Sequence, residues 1–232
     1  MTWVKICGMT NLEDALLAVD AGADAVGFVF YEKSPRCVTV EMAREIVAML
    51  PESVEKVGVF VGATAETVIE TSNYVRLTAA QIYPTAPDYH LPVLNDEFLR
   101  KVQCDVIIAL PARALEGPED SSPDGGFFFS NATRDRILAV LLDSGDSERP
   151  GGTGEKFDWE HAARIREGMN RLGLQLIVAG GLSPGNVRDA IGIFRPWGLD
   201  VSSGVEATPG KKDPGKVRAF VQAVREMDRK VS

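Results

Sequence analysis

Short runs of apolar, β-branched residues alternate along the chain with longer stretches whose apolar positions recur every three or four residues. The first pattern suits buried strands and the second amphipathic helices, so their alternation predicts βα units around a parallel sheet. Eight strands are predicted: Val4 to Cys7, Ala25 to Phe30, Lys56 to Phe60, Ala80 to Tyr83, Val106 to Leu110, Ala139 to Asp143, Gln175 to Ala179 and Leu199 to Ser202.

Several helices show capping chemistry at their starts, where a side-chain oxygen accepts an otherwise unpaired backbone N–H. Thr10-Asn11-Leu12-Glu13 has the form of a capping box, followed by Leu12, Ala15, Leu16 and Val19 on one face and stopped by Gly22. Asp213-Pro214 places a capping carboxylate before a proline suited to the first helical position, and Val217, Phe220, Val221 and Val224 form the stripe of the last helix. Ser183-Pro184 repeats the signal ahead of Val187 and Ile191, as Asp158-Trp159 does ahead of Ala162 and Ile165. Pro111 to Ser130 holds Gly117-Pro118, Asp120-Ser121-Ser122-Pro123 and Gly125-Gly126 instead, the chemistry of a long loop in place of the fifth helix.

Eight strands can close into a barrel or lie open as a doubly wound sheet. No Gly-x-Gly-x-x-Gly follows Val4 to Cys7 or Ala25 to Phe30, and the glycines cluster late, as Gly180-Gly181 and Gly204. The expectation is therefore an α/β fold, a single (β/α)8 TIM barrel. Nothing marks an interdomain linker, so residues 1–232 are expected to form one domain.

Composition narrows the partners. The 232 residues carry 25 basic and 33 acidic side chains, a net charge of −8, with no Lys/Arg block, so no nucleic-acid footprint exists. Apolar runs such as Val26 to Tyr31 fall far short of the roughly 20 residues that span a bilayer. Three cysteines without Cys-x-x-Cys spacing argue against a disulfide framework and a structural zinc site, so free thiols and no metal are expected. Met1-Thr2-Trp3-Val4-Lys5 lacks the layout of a secretory signal, which points to the cytoplasm and a small-molecule partner.

Candidate chemistry lies at the ends of the predicted strands. Gly180-Gly181 and Ser202-Ser203-Gly204 follow the last two, where barrels often cradle a phosphate with backbone N–H groups; a helix start at Ser183-Pro184 would aim its positive end there. Gly151-Gly152-Thr153-Gly154 adds a third flexible loop. Asp143 closes the sixth strand, where partial desolvation suits a general acid. Cys7 closes the first, near a helix N-terminus expected to favour its thiolate. Cys37 and Cys104 are expected to be small buried hydrophobes. Lys5, a charge within a strand, calls for a carboxylate partner at the barrel mouth. Arg36 can fork onto a substrate carboxylate, and Asp200 can accept from ligand hydroxyls. His90 and His161 lie away from the strand ends and receive no role.

Together Lys5-Ile6-Cys7-Gly8-Met9-Thr10, Gly22 to Phe30, Ser34-Pro35-Arg36, Val57 to Phe60, Leu141-Leu142-Asp143-Ser144, Gly151 to Gly154 with Phe157-Asp158-Trp159, Ala179 to Leu182 and Asp200-Val201-Ser202-Ser203-Gly204-Val205-Glu206 resemble the phosphoribosylanthranilate isomerase family of tryptophan biosynthesis. The resemblance implies a cofactor-free Amadori rearrangement of N-(5-phosphoribosyl)anthranilate on a (β/α)8 barrel. It implies Asp143 as general acid and Cys7 as general base. Lys5, Arg36, Gln81 and Asp200 would bind the substrate's anthranilate and sugar, and Gly154, Gly180, Gly181, Ser202, Ser203 and Gly204 its phosphate. It further implies a monomer or homodimer with no nucleic-acid or membrane partner. The chain departs from the family where Gln81-Ile82-Tyr83-Pro84 replaces Gln-Leu-His-Gly, since tyrosine hydrogen-bonds but does not exchange a proton near pH 7. A phosphosugar-binding barrel without efficient chemistry is the alternative reading.

Overall fold

The computed structural model describes residues 1–83, 96–111, 136–143, 169–170 and 173–231. Eight parallel strands close into a barrel in sequence order: β1 (Trp3–Cys7), β2 (Ala25–Val29), β3 (Glu55–Val61), β4 (Ala79–Tyr83), β5 (Asp105–Pro111), β6 (Ile137–Asp143), β7 (Gln175–Val178) and β8 (Gly198–Val201). β8 pairs back onto β1 with Lys5 opposite Asp200. Every predicted strand is present with its ends within two residues of those expected. The described helices are α1 (Leu12–Asp20), α2 (Val40–Ala48), α3 (Ala65–Val75), α4 (Asp96–Lys101), α5 (Val187–Phe194) and α6 (Pro214–Val231). A short β9 (Glu206–Thr208) and β10 (Lys211–Lys212) make a hairpin between β8 and α6.

The two-residue period of a strand sorts side chains into two environments. Val4, Ile6, Val26 and Phe28 point outward into the apolar layer shared with the helices. Trp3, Ala25, Val57, Ala79, Ile107, Ala139 and Ile177 point inward and fill the barrel at the end where the strands begin, with Trp3 stacked on Trp197 at 5.2 Å. The same parity carries β1 from Trp3 through Lys5 to Cys7, and β6 from Ala139 through Leu141 to Asp143. A dry floor and a polar mouth thus share the same strands.

Local starts differ from expectation in two places. The N-cap of α1 is Asn11, whose Oδ1 accepts the Asp14 N–H at 2.8 Å, while the Thr10 hydroxyl turns away to the Gly210 carbonyl. The buried face of α1 carries the small Ala15 and Ala18 rather than Leu16, which is 38% exposed. Small side chains let the helix lie close against both β2 and α6, its neighbours. Likewise α5 begins at Val187, not at Ser183-Pro184. Asn186 accepts the Ser183 N–H at 2.8 Å and donates to the Gly181 carbonyl at 2.9 Å, which ties up a turn before the helix. At α6 the expectation holds: Asp213 accepts the Lys216 N–H at 2.9 Å, and Val217, Phe220, Val221 and Val224 are buried. The expected loop across residues 112–130 and the helix start at Asp158 lie outside the described residues. Among the described residues no helix is long and apolar enough to cross a membrane.

Candidate active site

Lys5 is fully buried inside the barrel. Its ammonium donates to Asp200 Oδ2 at 2.9 Å and to Gln81 Oε1 at 2.7 Å. Burial pulls this ammonium's pKa down, yet Asp200 and then Cys7 pull it up further, so the group is raised above its ordinary value and stays charged. Lys5 lies beneath the cavity described below and is not among its wall residues. Lys5→Met should destabilise the fold by about 3–5 kcal/mol in urea titrations, because it strands the buried Asp200 carboxylate, whose Oδ1 already has no hydrogen-bond partner.

Cys7 stands one layer above, packed with Val29 and Val59 and flanked by Tyr31 and Tyr83. Burial pushes its thiol above the ordinary value, and Asp200 adds to this. The Lys5 and Lys212 charges oppose the rise without cancelling it. The expected thiolate preference is therefore reversed in the free protein. α1 begins only at Leu12, and burial against the apolar ring from β2, β3 and β4 outweighs the neighbouring cationic charges.

Gly27, opposite Cys7 on β2, makes room for this arrangement. A Cβ there would lie 2.7 Å from Cys7 Sγ and 2.8 Å from Lys5 Cε. Gly27→Ala should displace both side chains and cut kcat by about a hundredfold, because a misplacement near 1 Å costs rate on this scale. Steady-state turnover beside an unfolding curve would separate that loss from simple instability.

Asp143 ends β6, 3% exposed, and its Oδ2 accepts the Tyr83 hydroxyl at 2.7 Å. Tyr83 in turn accepts from Gln81 Nε2 at 3.3 Å. Burial and then the Asp143 charge push the Tyr83 phenol well above its ordinary value, so it remains a neutral donor.

Arg36 lines the cavity, but its Nε and one terminal nitrogen already fork onto Glu206 at 2.8 and 2.7 Å. Glu206 also accepts from Lys212 Nζ at 2.9 Å, and Lys212 donates to the Cys7 carbonyl at 2.6 Å. Burial alone would raise the Glu206 carboxyl, yet Arg36 and then Lys212 hold it below its ordinary range. Sequence reasoning gave Glu206 no role and missed Lys212. No local signal marks Lys212, which reaches the site across 205 positions of chain from Cys7.

Gly180 and Gly181 follow β7 with φ of 86° and 60°, and with Ser202 and Ser203 they line the cavity wall. Gly204 lies behind that wall, where a Cβ would clash with the Leu182 carbonyl oxygen, so the two loops abut as only glycine permits. The Ser202 hydroxyl is buried with no hydrogen-bond partner. Gly154, the loop 151–154, His90 and His161 lie outside the described residues. Cys104 is buried as expected, whereas Cys37 is exposed. It follows Arg36 in the loop after β2, where only a single bridge to Val29 ties it to the sheet.

One open cavity collects Cys7, Arg36, Gln81, Tyr83, Asp143, Asp200 and the two late loops at the C-terminal mouth of the barrel. A thiol and a carboxyl facing one cavity beside small polar turns define the class: a TIM-barrel enzyme equipped for proton transfer on a small anionic substrate. The sequence model of N-(5′-phosphoribosyl)anthranilate (PRA) isomerase matches residues 4–223, and the chain belongs to that family. It is 45% identical over 226 residues to the N-(5′-phosphoribosyl)anthranilate isomerase of Pseudomonas fluorescens, covering 95% of this chain and 97% of that one. The crystal structure of the phosphoribosyl anthranilate isomerase from Thermotoga maritima superposes with a TM-score of 0.74 at 38% identity, covering 97% of this chain and 100% of the other. A phosphoribosyl anthranilate isomerase in complex with reduced 1-(o-carboxyphenylamino)-1-deoxyribulose 5-phosphate matches with a TM-score of 0.71 at 37% identity over the same shares.

Proposed function

We propose that the chain converts N-(5-phosphoribosyl)anthranilate to 1-(2-carboxyphenylamino)-1-deoxyribulose 5-phosphate in the cytoplasm, with Asp143 as general acid and Cys7 as general base. The observation that carries these roles is that both groups, from β6 and β1, face the same cavity. Asp143 gives its proton to the furanose ring oxygen as the C1–O bond breaks. The nitrogen lone pair moves in to form a protonated Schiff base at C1. That cation acidifies the C2–H bond and, standing beside Cys7, favours the thiolate against the burial that raises it. The thiolate takes the C2 proton, leaving an enolamine, and proton return at C1 with loss of the enol proton gives the ketose.

The remaining residues hold the substrate. Arg36, kept charged and oriented by Glu206, faces the anthranilate carboxylate with its unengaged terminal nitrogen. Asp200 Oδ1, buried and without a partner, accepts from the sugar hydroxyls. Gly180-Gly181 and Ser202-Ser203 cradle the phosphate, and the unpartnered Ser202 hydroxyl supplies a further donor to it.

The test is direct. The purified chain should consume phosphoribosylanthranilate and form the ketose phosphate, and its gene should restore growth to a tryptophan auxotroph lacking this isomerase. Binding of the phosphate ester without product would leave only the phosphosugar-binding reading.

A further inference from the structure

Five buried or half-buried polar side chains run across the barrel mouth from Asp200 to Asp143, and their hydrogen-bonding capacities fix the direction of the bonds between them. Lys5 can only donate, so the Gln81 oxygen, 2.7 Å away, must face it. The Gln81 amide nitrogen then faces Tyr83 at 3.3 Å, and since that nitrogen only donates, the Tyr83 oxygen accepts it. The single Tyr83 hydrogen is left to point at Asp143 Oδ2, 2.7 Å away. Asp200, salt-bridged to Lys5 at 2.9 Å, keeps the head of the chain charged.

We infer that Lys5, Gln81 and Tyr83 form a one-way hydrogen-bond chain that fixes which oxygen of Asp143 carries its proton, and that Tyr83 is the positioning residue of the acid. The carbonyl oxygen of a carboxyl group accepts better than its hydroxyl oxygen, so a donor aimed at Oδ2 makes Oδ2 the carbonyl and places the acidic proton on Oδ1. Proton transfer then needs no rotation of the carboxyl between turnovers. The chain also gives a role to Tyr83, which stands where the family pattern has histidine. The ionisable neighbours that act on Tyr83 are Asp143, Asp200 and Cys7; among its hydrogen-bond partners Gln81 donates to it and Asp143 Oδ2 accepts from it. The inference rests on the proposed role of Asp143 for its catalytic meaning, but the direction of the chain can be read without catalysis.

Two variants test it. Tyr83→Phe removes the donor to Asp143. Gln81→Glu keeps the shape but replaces the amide donor with an acceptor, so the Tyr83 hydrogen turns from Asp143 to Glu. Each should lower kcat about tenfold with KM within twofold, and the double variant should lose no more than either single one, because both break the same bond. In the ligand-free protein, the titration midpoint of the Asp143 carboxyl carbon followed by NMR should move to higher pH in both variants, since a donor that favours the carboxylate is lost. An unmoved midpoint in Tyr83→Phe, an unchanged kcat in both variants while Asp143→Asn is impaired, or losses that multiply in the double variant would each overturn the chain. If instead the midpoints move as expected while wild-type protein and Asp143→Asn turn over alike, the chain stands and the acid role falls.

Discussion

Asp143→Asn is expected to lower kcat by about 10²- to 10⁴-fold with KM within about threefold, the range over which a positioned general acid contributes. Asparagine keeps the size of the side chain and can still accept from Tyr83, so the packing of the β6 end survives. What it lacks is a proton acidic enough to follow the ring oxygen as the C1–O bond breaks. Without that proton the oxygen leaves as an alkoxide, a far more basic leaving group. Binding should persist, because the phosphate loops and Arg36 are separate from this carboxyl. Turnover within threefold of wild type would remove Asp143 from the mechanism, whereas a large rise in KM would recast it as a binding group.

The barrel was legible because its signals are local. Runs such as Val57 to Phe60 and Val140 to Leu142 are strongly β-branched or apolar, and their spacing is that of βα units. The positions of Cys7 and Asp143 followed from the same reasoning, since each ends a strand and a parallel barrel brings all strand ends to one rim. Parity could have gone further: counting in twos along β1 from an inward Trp3 puts Lys5 and Cys7 on the inward face as well.

What could not be read depends on contacts between distant segments. The ionisation of Cys7 turns on Val29, Val59 and Tyr83 from three other strands, and a helix-dipole argument made along the chain cannot see that apolar ring. The Glu206 carboxylate that ties up Arg36 lies 170 positions away. Tyr83 looked like a loss because it was compared with histidine as a proton carrier. Its contact with Asp143, 60 positions on, shows a hydrogen-bond donor at the acid instead. The cap of α1 was misplaced by one residue for a related reason, as Thr10 is drawn off by Gly210 in the β9–β10 hairpin.

Cys7→Ala should cost about 10²- to 10⁴-fold in kcat, as expected for removal of a general base, and Cys7→Ser should not rescue it, because a serine hydroxyl ionises far less readily than a thiol. The state of Cys7 offers a check that needs no substrate. Since burial raises the thiol above its ordinary value, only a small fraction is thiolate near neutral pH. Its alkylation by iodoacetamide, followed by mass spectrometry, should therefore be slow at pH 7 and climb about tenfold per pH unit until the raised value is reached. Exposed Cys37 should be modified first. A product-like ligand carrying a cation at the Schiff-base position should speed the Cys7 reaction if it leaves the sulfur open, because its charge stabilises the thiolate that burial opposes. Fast alkylation of Cys7 at pH 6 would mean that Lys5 and Lys212 outweigh the apolar ring, and the thiolate would then be present before substrate arrives rather than drawn out by the cation that ring opening creates.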